Sequence, residues 1–365
     1  MDKINSLIQI LIYGSLFLLS FILIANPLKV NRKANLWFGI FLFLWSTFWF
    51  EEICILTEYQ LQNIYIETAI KFFQFSTPIF FYYSVVFYTN PDFKFKKKEL
   101  IFFILPIIYL VGLITKHQFN EQTAISSILN ILIIIQAIYF TIYSYIKIQF
   151  HKKRIRLFSS NTNEIDLVWL EYIITSLFVL SLFIGIYNVF FNGDHLNVLA
   201  NMVSLTIIFF VAFNCLKQKE IFLLDENERN LIFNTEKVTV IEKRKIISDE
   251  EIEILKTKLI KLMEDKKLFL DPDLTLIKLA KLLNLTPHKV SYLINKGFNE
   301  NFFWFVNRYR VNRVKELLLN KDYKHMSILG IAYESGFNSK TSFNTTFKKI
   351  TSQTPSEFKK ISSSL

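Results

Sequence analysis

At 365 residues the chain has room for two or three domains. Hydrophobic residues make up 52% of it, with 39 phenylalanines; soluble chains hold about 45–50% apolar residues even when glycine is counted, so the composition points to a membrane. The net charge of +11 fits a solvated surface or an anionic partner, and two cysteines do not make a disulfide framework.

The first apolar run spans Ile4 to Ala25. It is too long for the apolar core of a signal peptide and lacks a basic leader. About 20 such residues cross the hydrocarbon of a bilayer. Further runs occur at Leu36–Leu56, Thr68–Tyr88, Leu100–Thr115, Ser126–Ile148, Val168–Phe191 and Leu196–Leu216. The pattern predicts a seven-helix transmembrane bundle over residues 1–216. Cations give its orientation. Loop 26–35 carries Lys29, Arg32 and Lys33; loop 89–99 carries Lys94, Lys96, Lys97 and Lys98. Loop 149–167 carries Lys152, Lys153, Arg154 and Arg156, and Lys217 and Lys219 come after the last run. The alternate loops and the N-terminus hold only Lys3 and Lys116. Cytoplasmic loops collect Lys and Arg, so the N-terminus is expected outside and the C-terminal part in the cytoplasm.

Polar residues interrupt the runs. Glu51 and Glu52 lie near the outer end of the second, Lys71 and Gln74 near the outer end of the third. At ~1.5 Å per residue, Glu51 and Lys71 both come on the order of 10 Å below the outer surface, within reach of pairing across the hairpin. Intramembrane ionisable groups are costly and often functional. These four residues therefore offer a ligand- or proton-sensing pocket, although a structural or snorkelling pair is the plainer and favoured reading. Gln136, Glu171, Asn188 and Asn201 suit interhelical hydrogen bonds. Trp37 and Trp169 suit an interfacial belt better than an aromatic cage with Trp45 and Trp49. Cys54 falls near the outer face and Cys215 near the inner one, so both are expected as free, buried thiols.

Residues 217–247 read as a polar linker. Its acidic group, Asp225, Glu226 and Glu228, fits solvation better than a metal site, and Val238, Val240 and Ile241 suggest a short strand. Ser248 with Glu251 three residues on is a capping-box signature. Ile252, Leu255, Leu259 and Leu262 then form the stripe of a helix ending near Lys267, within a connecting segment 248–273. Packing against the C-terminal part of the chain is its first reading. A dimer or signalling helix, and hence a homodimer, is the second.

The last stretch carries the clearest pattern. Ile328, Ile331 and Ala332 make one face of a short helix, and Gly336 suits a left-handed corner. Phe337 comes next as a plug. Phe343 and Phe347 share one face of a second helix, leaving Lys340, Thr341, Asn344, Thr345 and Lys348 on the others. Two short helices around a glycine corner, the second polar and basic outside, describe a helix-turn-helix. The pattern occurs once before. Leu279-Ala280 matches Ile331-Ala332, Asn284-Leu285 matches Gly336-Phe337, and Val290 and Ile294 match Phe343 and Phe347, with one residue more in the second turn. Asparagine is the next best corner residue. Thr286 and Pro287 suit an N-cap and first helical position. Between the two heads, Phe302 to Leu319 reads as one long helix.

Ile328, Ile331-Ala332, Gly336-Phe337, Phe343, Phe347-Lys348-Lys349 and Thr354-Pro355 with Phe358 resemble the AraC-type (AraC/XylS) family of transcription regulators. Ser352 departs from the pattern, standing where the family usually has glycine. The resemblance covers about the last quarter of the chain. It implies a double helix-turn-helix domain over 274–365 that presents two recognition helices to successive major grooves of double-stranded DNA. The fold class expected is all-α, the membrane bundle and then this cytoplasmic domain. The combination resembles membrane-anchored AraC-type regulators of bacteria, which sit in the inner membrane. The charge agrees: residues 274–365 hold 15 Lys and Arg against 5 Asp and Glu, as phosphate binding requires.

In a helix-turn-helix the exposed early residues of the second helix meet base edges. Comparison with the family pattern favours His288, Ser291, Tyr292, Lys340, Thr341, Asn344 and Thr345 as base readers. Lys289, Lys296, Ser342, Lys348 and Lys349 are candidates for phosphate, which sets register rather than sequence preference. Val290, Ile294, Phe343 and Phe347 are core.

The leading expectation is a membrane-embedded transcription regulator, contacting the lipid bilayer, DNA and an unknown signal ligand, and acting in place rather than by proteolytic release. The alternative is a transporter or receptor whose helical domain docks a protein. No catalytic residue, cofactor or metal is expected: the histidines at 117, 151, 195, 288 and 325 are scattered, and neither an HExxH nor a Walker sequence occurs. Pro78 and Pro106 interrupt runs at unmatched positions, unlike the broken helices of inverted repeats.

Overall fold

The computed structural model describes residues 2–59, 63–118, 122–162, 165–190, 196–218 and 247–363. The strand expected around Val238 and the acidic group at Asp225 lie outside them. Among the described residues the protein is all-helical, apart from an isolated antiparallel bridge between Ser159 and Thr275. The chain divides into two compact units, Met1–Phe150 with Leu167–Ile221, and His151–Asp166 with Phe222–Leu365.

The first unit tracks the apolar runs. α1 is Asp2–Ala25 and α2 is Arg32–Ser46, which continues through a 3-10 turn, Thr47–Trp49, into α3, Phe50–Leu56. α4 is Ile64–Thr89, α5 is Ile104–Gln118 and α6 is Gln122–Phe158. α7 is Val168–Phe190 and α8 is Leu196–Lys217. Among the described residues five stretches are long and apolar enough to cross a membrane: Lys3–Ala25, Arg32–Leu56, Lys97–Lys116, Ala124–Phe158 and Val198–Lys217; the expected runs Thr68–Tyr88 and Val168–Phe191 are not among them. The apolar residues of this unit point both ways. Ile12 and Leu16 of α1, Phe38 and Leu42 of α2, and Ile79 and Tyr83 of α4 are enclosed, whereas Leu18 and Phe21, Ile107 and Val111, and Ile134 and Ile138 are bare. A helix apolar all round belongs in lipid or a large core. α2 packs between α1 and α4, and α8 lies against α1.

Two expectations about this unit give way. Lys71 does not reach Glu51; it pairs with Glu67, one turn back on α4. That partner needs no interhelical geometry, since residues four apart share a helix face. Gln74 instead ties α4 to the 3-10 turn, donating to the Thr47 carbonyl at 2.9 Å. Trp169 does not face outward as a belt residue would: it is 7% exposed, edge-on to Phe38 and Tyr88, and its indole donates to Gln218. Trp37 is also drawn inward, among Phe80, Tyr83, Phe87 and Phe95. Gln136 and Asn201 do bridge helices, Gln136 donating to the Phe75 carbonyl and Asn201 joining Trp49 to Asn5. The Asn188 side chain lies outside the described residues. Cys54 and Cys215 are free and buried, as expected.

In the second unit, α9 is Asp249–Lys266, capped by Ser248, whose side chain accepts from the Glu251 amide. It buries Ile252, Leu259 and Met263 within this unit. α10 is Leu276–Leu283 and α11 is Pro287–Phe298; α12 is Phe302–Leu319. α13 is Ile328–Glu334, α14 is Lys340–Thr351 and α15 is Pro355–Ser363. Side chains of Thr275, Thr286, Asn301, Ser327 and Ser339 cap α10 to α14 in turn. Each satisfies an amide the helix itself leaves unpaired. Val311, Val314 and Leu317 of α12 share a core with Ile331, Ala332, Phe337, Phe343 and Phe347.

The two corners are built alike. Asn284 has φ 56° and Gly336 has φ 90°. The next amide in each case, Leu285 or Phe337, donates to the matched alanine carbonyl, Ala280 at 3.0 Å or Ala332 at 3.1 Å. Only Gly336 is also crowded: a Cβ there would lie 2.3 Å from the Phe269 carbonyl oxygen and 2.9 Å from Leu270 Cα. Backbone cannot yield as a side-chain tip can. Gly336→Ala is therefore expected to cost about 3 kcal/mol from strain and overlap together, read by pulse proteolysis of the full chain in detergent. Ser352 ends α14 at φ 61°, which explains the family's glycine. The left-handed region costs an L-residue about 1–2 kcal/mol, and glycine returns about 0.4–1 kcal/mol of that through its freer unfolded chain. Ser352→Gly should thus stabilise by roughly 0.5–1 kcal/mol in the same assay.

Candidate nucleic-acid interface

α11 and α14 are the second helices of the two motifs. Their inner faces bury Val290, Leu293 and Ile294, and Phe343, Thr346 and Phe347. Opposite those anchors, Lys340, Thr341, Asn344 and Thr345 of α14 are exposed. The corresponding residues of α11, His288, Ser291 and Tyr292, are half-buried. Burial pulls the His288 imidazole below its ordinary value. α9 buttresses α11 from behind, where Gly297 approaches Ile252 and Lys256.

Among the phosphate candidates, Lys296, Lys348 and Lys349 are exposed, and Lys289 and Ser342 are half-buried. Lys349 has its ammonium 5.0 Å above the Trp304 ring. Arg308, Arg313 and Lys278 are instead held in ion pairs, with Glu300, Glu316 and Asp271. Thr354 and Glu357 form a reciprocal capping box at the start of α15, the Glu357 carboxylate accepting from the Thr354 amide at 2.7 Å. That bond, then the Thr354 side chain, holds the Glu357 carboxyl below its ordinary range.

Sequence reasoning passes over one residue. Arg310 of α12 is 1% exposed. Its Nε donates to the Phe269 carbonyl at 2.7 Å, and Nη2 to the Asp271 carbonyl at 2.8 Å and to Ser160 Oγ at 3.0 Å. Nη1 donates to the Ser160 carbonyl and to Asn307 Oδ1, each at 3.3 Å. Burial lowers the guanidinium to about 10, against the opposing pull of Asp271 and Asp273. A signal is present: Arg310 is four residues from both Val306 and Val314, on the ridge that faces the core.

Residues 279–361 match a family model described as a helix-turn-helix domain, of the AraC type. The match supports an AraC-type DNA-binding domain over those residues and, as the class of protein, a DNA-binding transcription regulator. No curated protein matches the chain. A solved protein of unknown function from Listeria innocua is 30% identical, covering 30% of this chain and 96% of its own, with a TM-score of 0.26. A likeness at that score does not bear on fold or function.

Proposed function

We propose that the protein is a membrane-embedded, sequence-specific transcription regulator. Residues 1–216 form its membrane domain, with seven spans, the N-terminus outside and the DNA-binding domain in the cytoplasm. The observation that carries this is the repeated corner, which sets two recognition helices on one basic domain, the second with its polar face bare. Independent support comes from the loop cations, which assign the cytoplasm to the same end. Bases are read by His288, Ser291 and Tyr292 from α11 and by Lys340, Thr341, Asn344 and Thr345 from α14. Lys289, Lys296, Ser342, Lys348 and Lys349 hold phosphates.

The membrane domain senses a signal. Of the four polar residues singled out there, Lys71 has a partner one turn back on its own helix, Gln74 has one on the neighbouring 3-10 turn, and Glu51 is exposed. Glu52 is the best suited to sensing, because its Oε2 is enclosed with no hydrogen-bond partner among the described residues. A signal shifts DNA affinity only if it binds two states of the protein unequally.

Full-length protein in nanodiscs should select, from random duplexes, a site with two half-sites about 10 bp apart. Its affinity should fall steeply between low and moderate salt. No selection and negligible binding at low salt would put the protein-docking alternative first. On the selected site, Asn344→Ala should cost about 1–3 kcal/mol and relax preference at one position, whereas Lys348→Ala should weaken all sequences alike and lower the salt slope by about one. Fluorescence anisotropy titrations at several salt concentrations separate the two.

A further inference from the structure

The segment His151–Asp166 joins α6 to α7, yet it packs within the DNA-binding unit. Its first residues are the last two turns of α6, the helix whose preceding residues belong to the other unit. Ile155 and Phe158 are buried, and the Arg156 guanidinium lies 5.7 Å from the Phe303 ring centre. Then Ser159 bridges to Thr275 in antiparallel fashion. Ser160, 1% exposed, gives its hydroxyl proton to the Leu274 carbonyl at 2.7 Å and accepts from Arg310. The Ser160 carbonyl takes bonds from Asn307 at 3.0 Å and from Arg310.

We propose that Ser159-Ser160 is a strap whose docking sets DNA affinity, making the α6–α7 connection a second link, beside the 217–247 linker, from the membrane half to the head. This rests on the DNA-binding reading. Asn307 and Arg310 lie on α12, which joins the two heads, and Arg310 also holds the Phe269 carbonyl against which Gly336 turns. Undocking strips partners from an amide 0% exposed and a guanidinium 1% exposed. The cost falls on the helix that fixes the spacing of α11 and α14. The docked head is thus the form that engages two half-sites at once, and the undocked head engages them singly.

The test uses full-length protein in nanodiscs and two duplexes, one with both half-sites and one with a single half-site. Ser160→Ala keeps the backbone but removes the hydroxyl's two bonds. It should weaken paired-site binding on the order of tenfold and leave single-site binding unchanged. Opposed residues of an antiparallel bridge are spaced for a disulfide, so Ser159→Cys with Thr275→Cys in the Ser160→Ala background should restore paired-site affinity when oxidised and lose it on reduction. One protein in two redox states removes folding differences from the comparison. Equal paired-site affinity in Ser160→Ala and the parent, or in the two redox states, would overturn the strap while leaving DNA binding intact. Failure of the cysteines to link would overturn the docked geometry. A parent that binds no duplex would remove the DNA-binding reading, and the strap with it.

Discussion

A guanidinium taken out of water needs an acceptor for each of its five N–H groups. Arg310 has five, all of them neutral oxygens: three backbone carbonyls, one hydroxyl and one amide. They come from three places in the sequence, the α6–α7 connection, the 3-10 turn before α10, and α12 itself. Desolvating such an ion costs several kcal/mol, and each hydrogen bond to a charged group returns about 1.5–3 kcal/mol. The balance is favourable only with the full set in place, and losing a source leaves a buried cation short of partners. The second unit is therefore assembled around an all-or-nothing contact. Its position at the joint between the heads matters more than its net energy.

The same joint explains why the corner at 336 is glycine and the corner at 284 is not. Both chains turn through the left-handed region, which asparagine tolerates. At Gly336 the Phe269 carbonyl, fixed by Arg310, occupies the space a Cβ would need. Backbone conformation would accept either residue, and packing decides between them. At Ser352 nothing comparable intrudes, and serine persists there at a modest cost in conformation.

Local signals are readable in the sequence, and long-range ones are not. The bounds of α12, the caps at Ser248 and Thr286, and the two corners come from periodicity and short-range chemistry. The apolar runs fall on helices for the same reason. Depth in the membrane points Lys71 across the hairpin, but a glutamate one turn away on the same helix is nearer than any partner there. Position near a span end places Trp169 at the interface, and its buried partners lie on other helices. The strap gives no local sign at all. Residues 149–167 read as a basic loop, and a Ser-Ser pair carries no periodicity. Only Arg310, apolar by position and charged by identity, shows that something polar has to meet it.

The two recognition helices are not equivalent in the work each can do. α11 is backed by α9 and holds His288, Ser291 and Tyr292 half-buried, so their side chains are already restricted in the free protein. Ordered groups lose less rotamer entropy on binding, about 0.5–1.5 kcal/mol being saved for each long side chain. α14 presents its polar residues free of cover and is closed from behind by α15, where Phe358 packs on Phe347. Those polar side chains would lose more entropy on binding but can adapt. If both helices read DNA as proposed, α11 would be the stiffer reader and α14 the more tolerant one. On the proposed function, affinity for a paired site would depend on α12 holding α14 in register with α11, and Arg310 sits at that joint.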